Sequence, residues 1–313
     1  MTDMTTTLKG RDFLSLKDFS SEEILYLIDL ADELKAKVKK GEPHPLLAGK
    51  SLGMIFTKRS TRTRVSFEVG IYQLGGLPLF LTNDDLQLGR GETIADTARV
   101  LSRYLNGIMI RTYSHQDVEE LAANATIPVI NGLTDLLHPT QVVADLMTIR
   151  ERKGILKGLN LTYVGDGNNV AHSLMYGGAK LGLNVTIACP KGYEPMPEIL
   201  KEAKQIAKDN DCQILVTDDV KEAAKGADVL YTDVWASMGQ EAEAEKRRKV
   251  FKDYQINSDL LKLAKKDAIV LHCLPAHRGE EITDEVIDGP QSAVFDEAEN
   301  RLHAHKAIMA ALM

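Results

Sequence analysis

Apolar side chains recur at Ile24, Leu27, Ile28, Ala31 and Leu34, the three-four spacing that puts them on one face of a helix. Ser20 and Glu23 stand at capping-box spacing ahead of that face, and Gly41 suits the left-handed residue that ends a helix, so the pattern predicts a helix across 20–41. Farther along, the pattern alternates. Short apolar runs at 51–56, 77–81, 107–111 and 127–131 are each followed by a stretch of helical period, with starts near Thr61, Thr93, His115 and Pro139. A second series of runs, at 159–166, 184–190, 213–217, 228–234, 268–274 and 292–296, again has helical stretches between its members. Strand-helix alternation requires crossover connections, hence parallel sheets covered on both faces. The expected fold is α/β, with two doubly wound domains, each a mostly parallel sheet flanked by helices. The first domain spans 1–150 and the second 151–297, joined at the helical segment 138–154. The last helical pattern, 298–313, has no strand after it and is expected to pack back on the first domain.

The chain has 313 residues, enough for two packed cores, and 44% hydrophobic with 27% charged residues is ordinary for a globular protein. No apolar run approaches the twenty or so residues of a membrane span, and the N-terminus lacks a basic start followed by an apolar stretch. A protein without membrane or secretory signal is expected. The three cysteines, Cys189, Cys212 and Cys273, are odd in number and lack CxxC spacing, which argues against a disulfide framework or structural zinc and fits the reducing cytoplasm. A formal net charge of -7 speaks against nucleic-acid binding, which relies on a basic surface. Any anionic ligand must therefore be held by a local group of cations.

Such a group exists: Lys58, Arg59, Arg62 and Arg64 fall within seven residues, directly after the first predicted strand. Ligands of open α/β sheets bind beyond the carboxyl ends of strands, where helix N-termini also point. Ser60, Thr61 and Thr63 would bring hydroxyls and backbone N–H groups there, with Arg62 as a two-pronged donor, an arrangement suited to phosphate. A plain helix cap with solvated arginines reads the same residues equally well. GxxxxGK[ST] is absent, so no nucleoside triphosphate is implied. Arg111 ends another strand, and His138 precedes Pro139 at a helix start with Gln141 one turn on, which aims three more polar groups at the same edge. In the second series, VGDGNNV at 164–170 resembles a dinucleotide turn but carries Val170 where the third glycine belongs. Asn168 and Asn169 read as polar groups at a strand end or as turn residues. Asp233 ends a strand ahead of a small-residue loop, and Cys273 follows another strand, where a buried small hydrophobe is the ordinary reading of a cysteine. His272, Cys273 and His277 lack a fourth ligand, so no metal is expected. The charged run 240–254 reads as a solvated loop or short helix.

Taken together, STRTR at 60–64, HPTQ at 138–141, the Asp233–Gly239 motif and HCLPA at 272–276 resemble the aspartate/ornithine carbamoyltransferase family, on its ornithine side, over nearly the whole chain. The resemblance implies carbamoyl phosphate and L-ornithine as substrates, L-citrulline and phosphate as products, and no cofactor or metal. It implies that Ser60, Thr61, Arg62 and Thr63 hold the phosphate with Arg111. His138 and Gln141 would take the carbamoyl group, and Arg301 in the final helix would complete the site. Asn169, Asp233, Ser237 and Met238 would contact ornithine, with Cys273 and Leu274 between the substrates and Cys273, as a thiolate steered by Asp233, accepting the amine proton. Arg62, Arg111, His138 and Cys273 would carry the catalysis. The family also implies a homotrimer, or a multiple of trimers, in which the polar, glycine-containing loop 84–92 enters the neighbouring site through Gln87, with Arg90 as a further helper. Arginine metabolism follows from the resemblance, without a choice between synthesis and breakdown. Two other readings are a silent binding module on the same fold and a nicotinamide-dependent dehydrogenase built on the 164–170 turn.

Overall fold

The capping box at the first helix forms as its spacing requires: Ser20 Oγ accepts the Glu23 N–H at 3.2 Å, and the Glu23 carboxylate accepts the Ser20 N–H at 2.8 Å. The helix runs Ser21–Lys40 and ends on Gly41 at φ 69°, with Ile24, Leu27, Ile28, Ala31 and Leu34 all buried. The computed structural model describes residues 7–82, 85–87, 91–237, 239 and 241–313, of Glu241 the backbone only. Met238, Arg90 and the rest of the 84–92 loop apart from 85–87 and 91–92 lie outside the described residues.

The chain divides into two compact units, Met1–Met147 with Glu299–Met313, and Thr148–Ala298. It passes between them within two helices, Pro139–Lys153 and Val294–Leu312. The first unit is built on a parallel sheet of four strands, β1 (Ser51–Phe56), β2 (Leu77–Thr82), β3 (Gly107–Arg111) and β4 (Val129–Leu133), in the order β2-β1-β3-β4. Its core gathers Ile55, Ala98, Leu105, Ile108, Ile110, Val118, Leu121 and Val129. The final helix closes this unit: Met313 packs where a Cβ on Gly107 would stand, and the side chain of Lys35 donates to Asn300 Oδ1 at 2.7 Å. The second unit carries five parallel strands, β5 (Asn160–Val164), β6 (Asn184–Ala188), β7 (Ile214–Thr217), β8 (Val229–Thr232) and β9 (Ile269–His272), in the order β7-β6-β5-β8-β9. Its core includes Leu230, Trp235, Phe251, Ile256, Val270, Ile282 and Val294.

Each order reverses direction once, between β1 and β3 and between β5 and β8, and at such a switch point the flanking loops part and leave a crevice. Registers place Phe56 beside Arg111 at the first point, and Val164 beside Thr232 at the second.

Two expected strands differ. The run 127–131 pairs from Val129 to Leu133, because Pro128 has no N–H for the ladder. The run 292–296 is not a strand: Ser292 makes one bridge to Val270, and the helix begins at Val294. Asp296 and Glu297 fall in its first turn, where the helix dipole favours carboxylates. No described helix is long and apolar enough to cross a membrane.

Candidate active site

At the first switch point the chain leaves β1, and Thr57 N–H donates to the Arg111 carbonyl at 3.0 Å, fixing the loop to the end of β3. Helix Thr61–Gln73 then starts with Ser60 as its cap, whose hydroxyl accepts from Thr63 N–H at 3.1 Å. A cap of this kind contributes about 1 kcal/mol, and it also aims the free N–H groups of the first turn into the crevice. The cap and the anion site are thus one construction.

Around this turn the four neighbouring cations separate. Lys58, 4% exposed, pairs with Asp135 at 2.7 Å. Arg64 pairs with Glu68 and lies 3.6 Å over the Phe80 ring, and Arg59 is exposed. Arg62 stays at the helix start, its Nε buried with no hydrogen-bond acceptor among the described residues. The positive charge is supplied instead from far along the chain. Arg301 Nη2 donates to Thr63 Oγ1 at 2.7 Å, and Arg111 Nη1 approaches the same oxygen at 3.4 Å. Thr63 is wholly buried, and both arginines nearly so. His138 is buried too. Burial first, then the charges of Arg301 and Arg111, hold its imidazole well below the ordinary 6.5, so it is neutral. Gln141, buried, donates to Asp145 Oδ1 at 2.8 Å. Gln87 is exposed and Thr61 is exposed at the helix start.

His305, in the final helix, carries no signal in the sequence that would place it here. Its ring stacks on Phe67 at 4.0 Å, and its Nδ1 lies 2.8 Å from Ser66 Oγ, which itself donates to the Arg62 carbonyl at 2.6 Å. With the one hydroxyl proton directed to that carbonyl, the ring must donate from Nδ1. His305 thereby braces the first turn from behind.

At the second switch point Asp233 collects its neighbours. Its Oδ1 accepts from Cys273 Sγ at 3.0 Å and from Val234 N–H at 2.8 Å, and its Oδ2 accepts from Asn168 Nδ2 at 2.8 Å. Asn168 is the cap of helix Asn169–Lys180, so the residue tied to Asp233 is Asn168, while Asn169 opens the helix, buried. The thiol is thus placed to donate to the carboxylate. Ser237 is half-buried; Met238 of the expected ornithine set lies outside the described residues. Leu274 takes a left-handed backbone at φ 58°.

The glycine turn owes its form to packing. A Cβ on Gly167 would stand 2.3 Å from Pro195 N, and Val170 is buried where a dinucleotide turn needs its third glycine. His272, Cys273 and His277, from which no metal is expected, divide between two groups: Asp233, His272 and Cys273 form one, and His277, Glu280 and Glu281 another. Arg247, from the run read as solvated, is instead buried: it pairs with Asp166 at 2.7 Å and donates to the Trp235 carbonyl at 2.9 Å. Burial pushes the Asp166 carboxyl up from its ordinary value, against the pull of Arg247. The pair ties the end of β5 to the loop that follows Asp233.

Two parallel sheets with polar groups at both switch points, one cationic and one centred on a carboxylate and a thiol, define a two-substrate transferase architecture. The chain belongs to the aspartate/ornithine carbamoyltransferase family: the family's carbamoyl-P binding domain matches residues 11–151 and its Asp/Orn binding domain residues 157–312. The second match runs through the final helix, whose residues 299–313 pack in space with the first unit. Ornithine carbamoyltransferase of Oceanobacillus iheyensis is 63% identical over 306 residues, 98% of this chain and 95% of that protein. That of Thermococcus kodakarensis is 60% identical over 310 residues, 99% of this chain and 98% of its own. The solved structure of ornithine carbamoyltransferase from Pyrococcus furiosus superposes with a TM-score of 0.95 at 59% identity, covering 98% of each chain.

Proposed function

We propose that this chain transfers the carbamoyl group of carbamoyl phosphate to the δ-amine of L-ornithine, giving L-citrulline and phosphate. The observation that carries the anionic half is the meeting of Arg301 and Arg111 on Thr63, at a helix N-terminus that also presents Arg62, whose Nε has no hydrogen-bond partner among the described residues. The names of the relatives at 60–63% identity support ornithine as acceptor.

In this reading Ser60, Thr61, Arg62 and Thr63 bind the phosphate with Arg111, Arg301 and Gln87. His138, neutral, donates one hydrogen bond to the carbamoyl oxygen, and Gln141 meets the carbamoyl group. Arg62 and Arg111 stabilise the tetrahedral oxyanion and the departing phosphate. Asn169, Asp233, Ser237 and Met238 bind ornithine, with Cys273 and Leu274 at the carbamoyl end. An alkylamine has an ordinary pKa of about 10.4, so the nucleophile must shed a proton before it attacks. With the Cys273 thiol directed at Asp233, the carboxylate is the group that can accept that proton, either directly or by a relay in which sulfur takes the amine proton as its own passes to Asp233 Oδ1. No metal or organic cofactor enters the scheme.

The division of labour follows the chain: 1–150 with 298–313 for carbamoyl phosphate, 151–297 for ornithine. We place the protein in the cytoplasm, in arginine biosynthesis, as a homotrimer or a multiple of one. A relative from Pyrococcus furiosus, 59% identical over 310 residues, is called anabolic, which supports the biosynthetic direction. A citrulline colour assay with carbamoyl phosphate against ornithine, aspartate, putrescine and N-acetylornithine tests the whole reading. Product with ornithine alone is expected, and product with another acceptor in its place overturns it.

A further inference from the structure

The turn that follows β9 is held by a carboxylate outside the motif. His272 uses both ring nitrogens: Nδ1 accepts the Leu274 N–H at 2.9 Å, and Nε2 lies 2.9 Å from Glu281 Oε1. Since Nδ1 accepts, the neutral ring carries its proton on Nε2 and donates it to Glu281. Both side chains are fully buried. Glu281 Oε1 also accepts the His277 N–H at 2.6 Å, closing the loop, and the Glu281 carbonyl accepts Ile256 N–H at 2.9 Å, anchoring it to the unit's core. A second buried carboxylate, Glu297, accepts the His272 backbone N–H at 2.9 Å.

This arrangement has a use at Leu274. Its φ of 58° is a left-handed conformation that disfavours a non-glycine residue, so something must hold it. The only described side chain bonded to its N–H is His272, and that acceptor exists only in the tautomer Glu281 selects. Cys273 sits between the two, its thiol on Asp233.

We propose that Glu281 is a positioning residue for carbamoyl transfer: by fixing the His272 tautomer it sets the Cys273–Leu274 turn. The inference rests on the proposed reaction for its kinetic readout, and a second readout does not depend on it. Full-length enzyme carrying Glu281→Gln, Glu281→Ala, His272→Asn or His272→Asn with Glu281→Ala is compared with the parent. Gln keeps an oxygen for both N–H donors, so kcat should stay within about threefold of the parent, while Ala should lower kcat about thirtyfold with the KM for carbamoyl phosphate little changed. Asn presents an acceptor at the place of Nδ1 without needing Glu281, so in that background the Ala change should cost kcat less than about threefold.

Independently of turnover, alkylation by iodoacetamide is followed at each cysteine by mass spectrometry. Glu281→Ala should shift the Cys273 rate at least about fivefold, with Cys189 and Cys212 unchanged and Glu281→Gln like the parent. A parent that makes no citrulline would sink the reaction but leave this shift to decide the positioning role. Equal losses in both His272 backgrounds, an unchanged Cys273 rate, or all three cysteines rising together would each overturn the proposal. If Glu281→Ala does not fold, His272→Phe, which removes the Leu274 acceptor, must show the same Cys273 shift, and its absence overturns the proposal equally.

Discussion

Thr63 Oγ1 and Arg301 Nη2 lie 2.7 Å apart, joining the first turn of one helix to another helix that begins more than two hundred residues later. One hydroxyl therefore orients a buried guanidinium in the proposed phosphate site. Thr63→Val preserves shape and removes the acceptor. It should raise the KM for carbamoyl phosphate about tenfold or more and cost about 1–3 kcal/mol of stability, because Arg301 and Arg111 both lose a buried partner. Steady-state kinetics and denaturant unfolding check both values, and a variant unchanged in carbamoyl phosphate KM would remove Thr63 from the site.

That pairing also marks where the chain stops being legible as a sequence. Elements set by neighbours in the chain were readable: the capping box at Ser20, the αL close at Gly41, and the strand ends where Arg111 and Asp233 stand. Their causes act within a few residues. The resemblance named Arg301, but no spacing shows which hydroxyl it meets. Arg247 was unreadable for a related reason: its burial comes with Asp166, 81 residues earlier in the chain, and its neighbours Lys246, Arg248 and Lys249 are exposed as a charged run should be. The segment 292–296 failed because its apolar alternation fits a strand locally, while the uninterrupted helical pattern after it extends back to Val294.

Two neutral histidines predict acid sensitivity. Burial holds His138 and His305 well below the ordinary 6.5, with Arg301 adding to each. Below pH 6.5 the unfolded chain therefore binds protons that the folded chain refuses, so stability falls as pH falls. Each histidine contributes up to about 1.4 kcal/mol per pH unit in that window. His305→Gln should flatten the acid limb of unfolding free energy between pH 6.5 and 5 by up to about one proton's worth, with little change above pH 7.5. An identical limb in the variant would mean that His305 titrates normally.

The Asp166–Arg247 pair gives a different signature. Removing one partner leaves a buried charge uncompensated, so Arg247→Met should cost about 3–5 kcal/mol, and the double change with Asp166→Asn should cost clearly less than the sum of the singles. Because the pair anchors the loop after Asp233, the KM for ornithine should rise more than that for carbamoyl phosphate. Additive losses measured by urea unfolding would show that the two side chains act separately.

The last expectation concerns the proposed trimer. Gln87 is exposed on the loop after β2, although it is counted among the groups that bind carbamoyl phosphate; a neighbouring chain would reconcile the two. Chains carrying Arg62→Ala and chains carrying Gln87→Ala, each of low activity alone, are mixed under conditions that allow subunit exchange. A working site needs Arg62 from the chain that owns it and Gln87 from the chain that lends its loop. In a closed ring each mixed trimer holds one such interface of three, so about one quarter of all sites should be intact after equal mixing. Activity should climb toward about that fraction of the parent as mass measurements show exchange proceeding. Complete exchange without a rise above the summed parents would place Gln87 in its own chain's site, because then every site inherits one lesion whichever neighbours surround it.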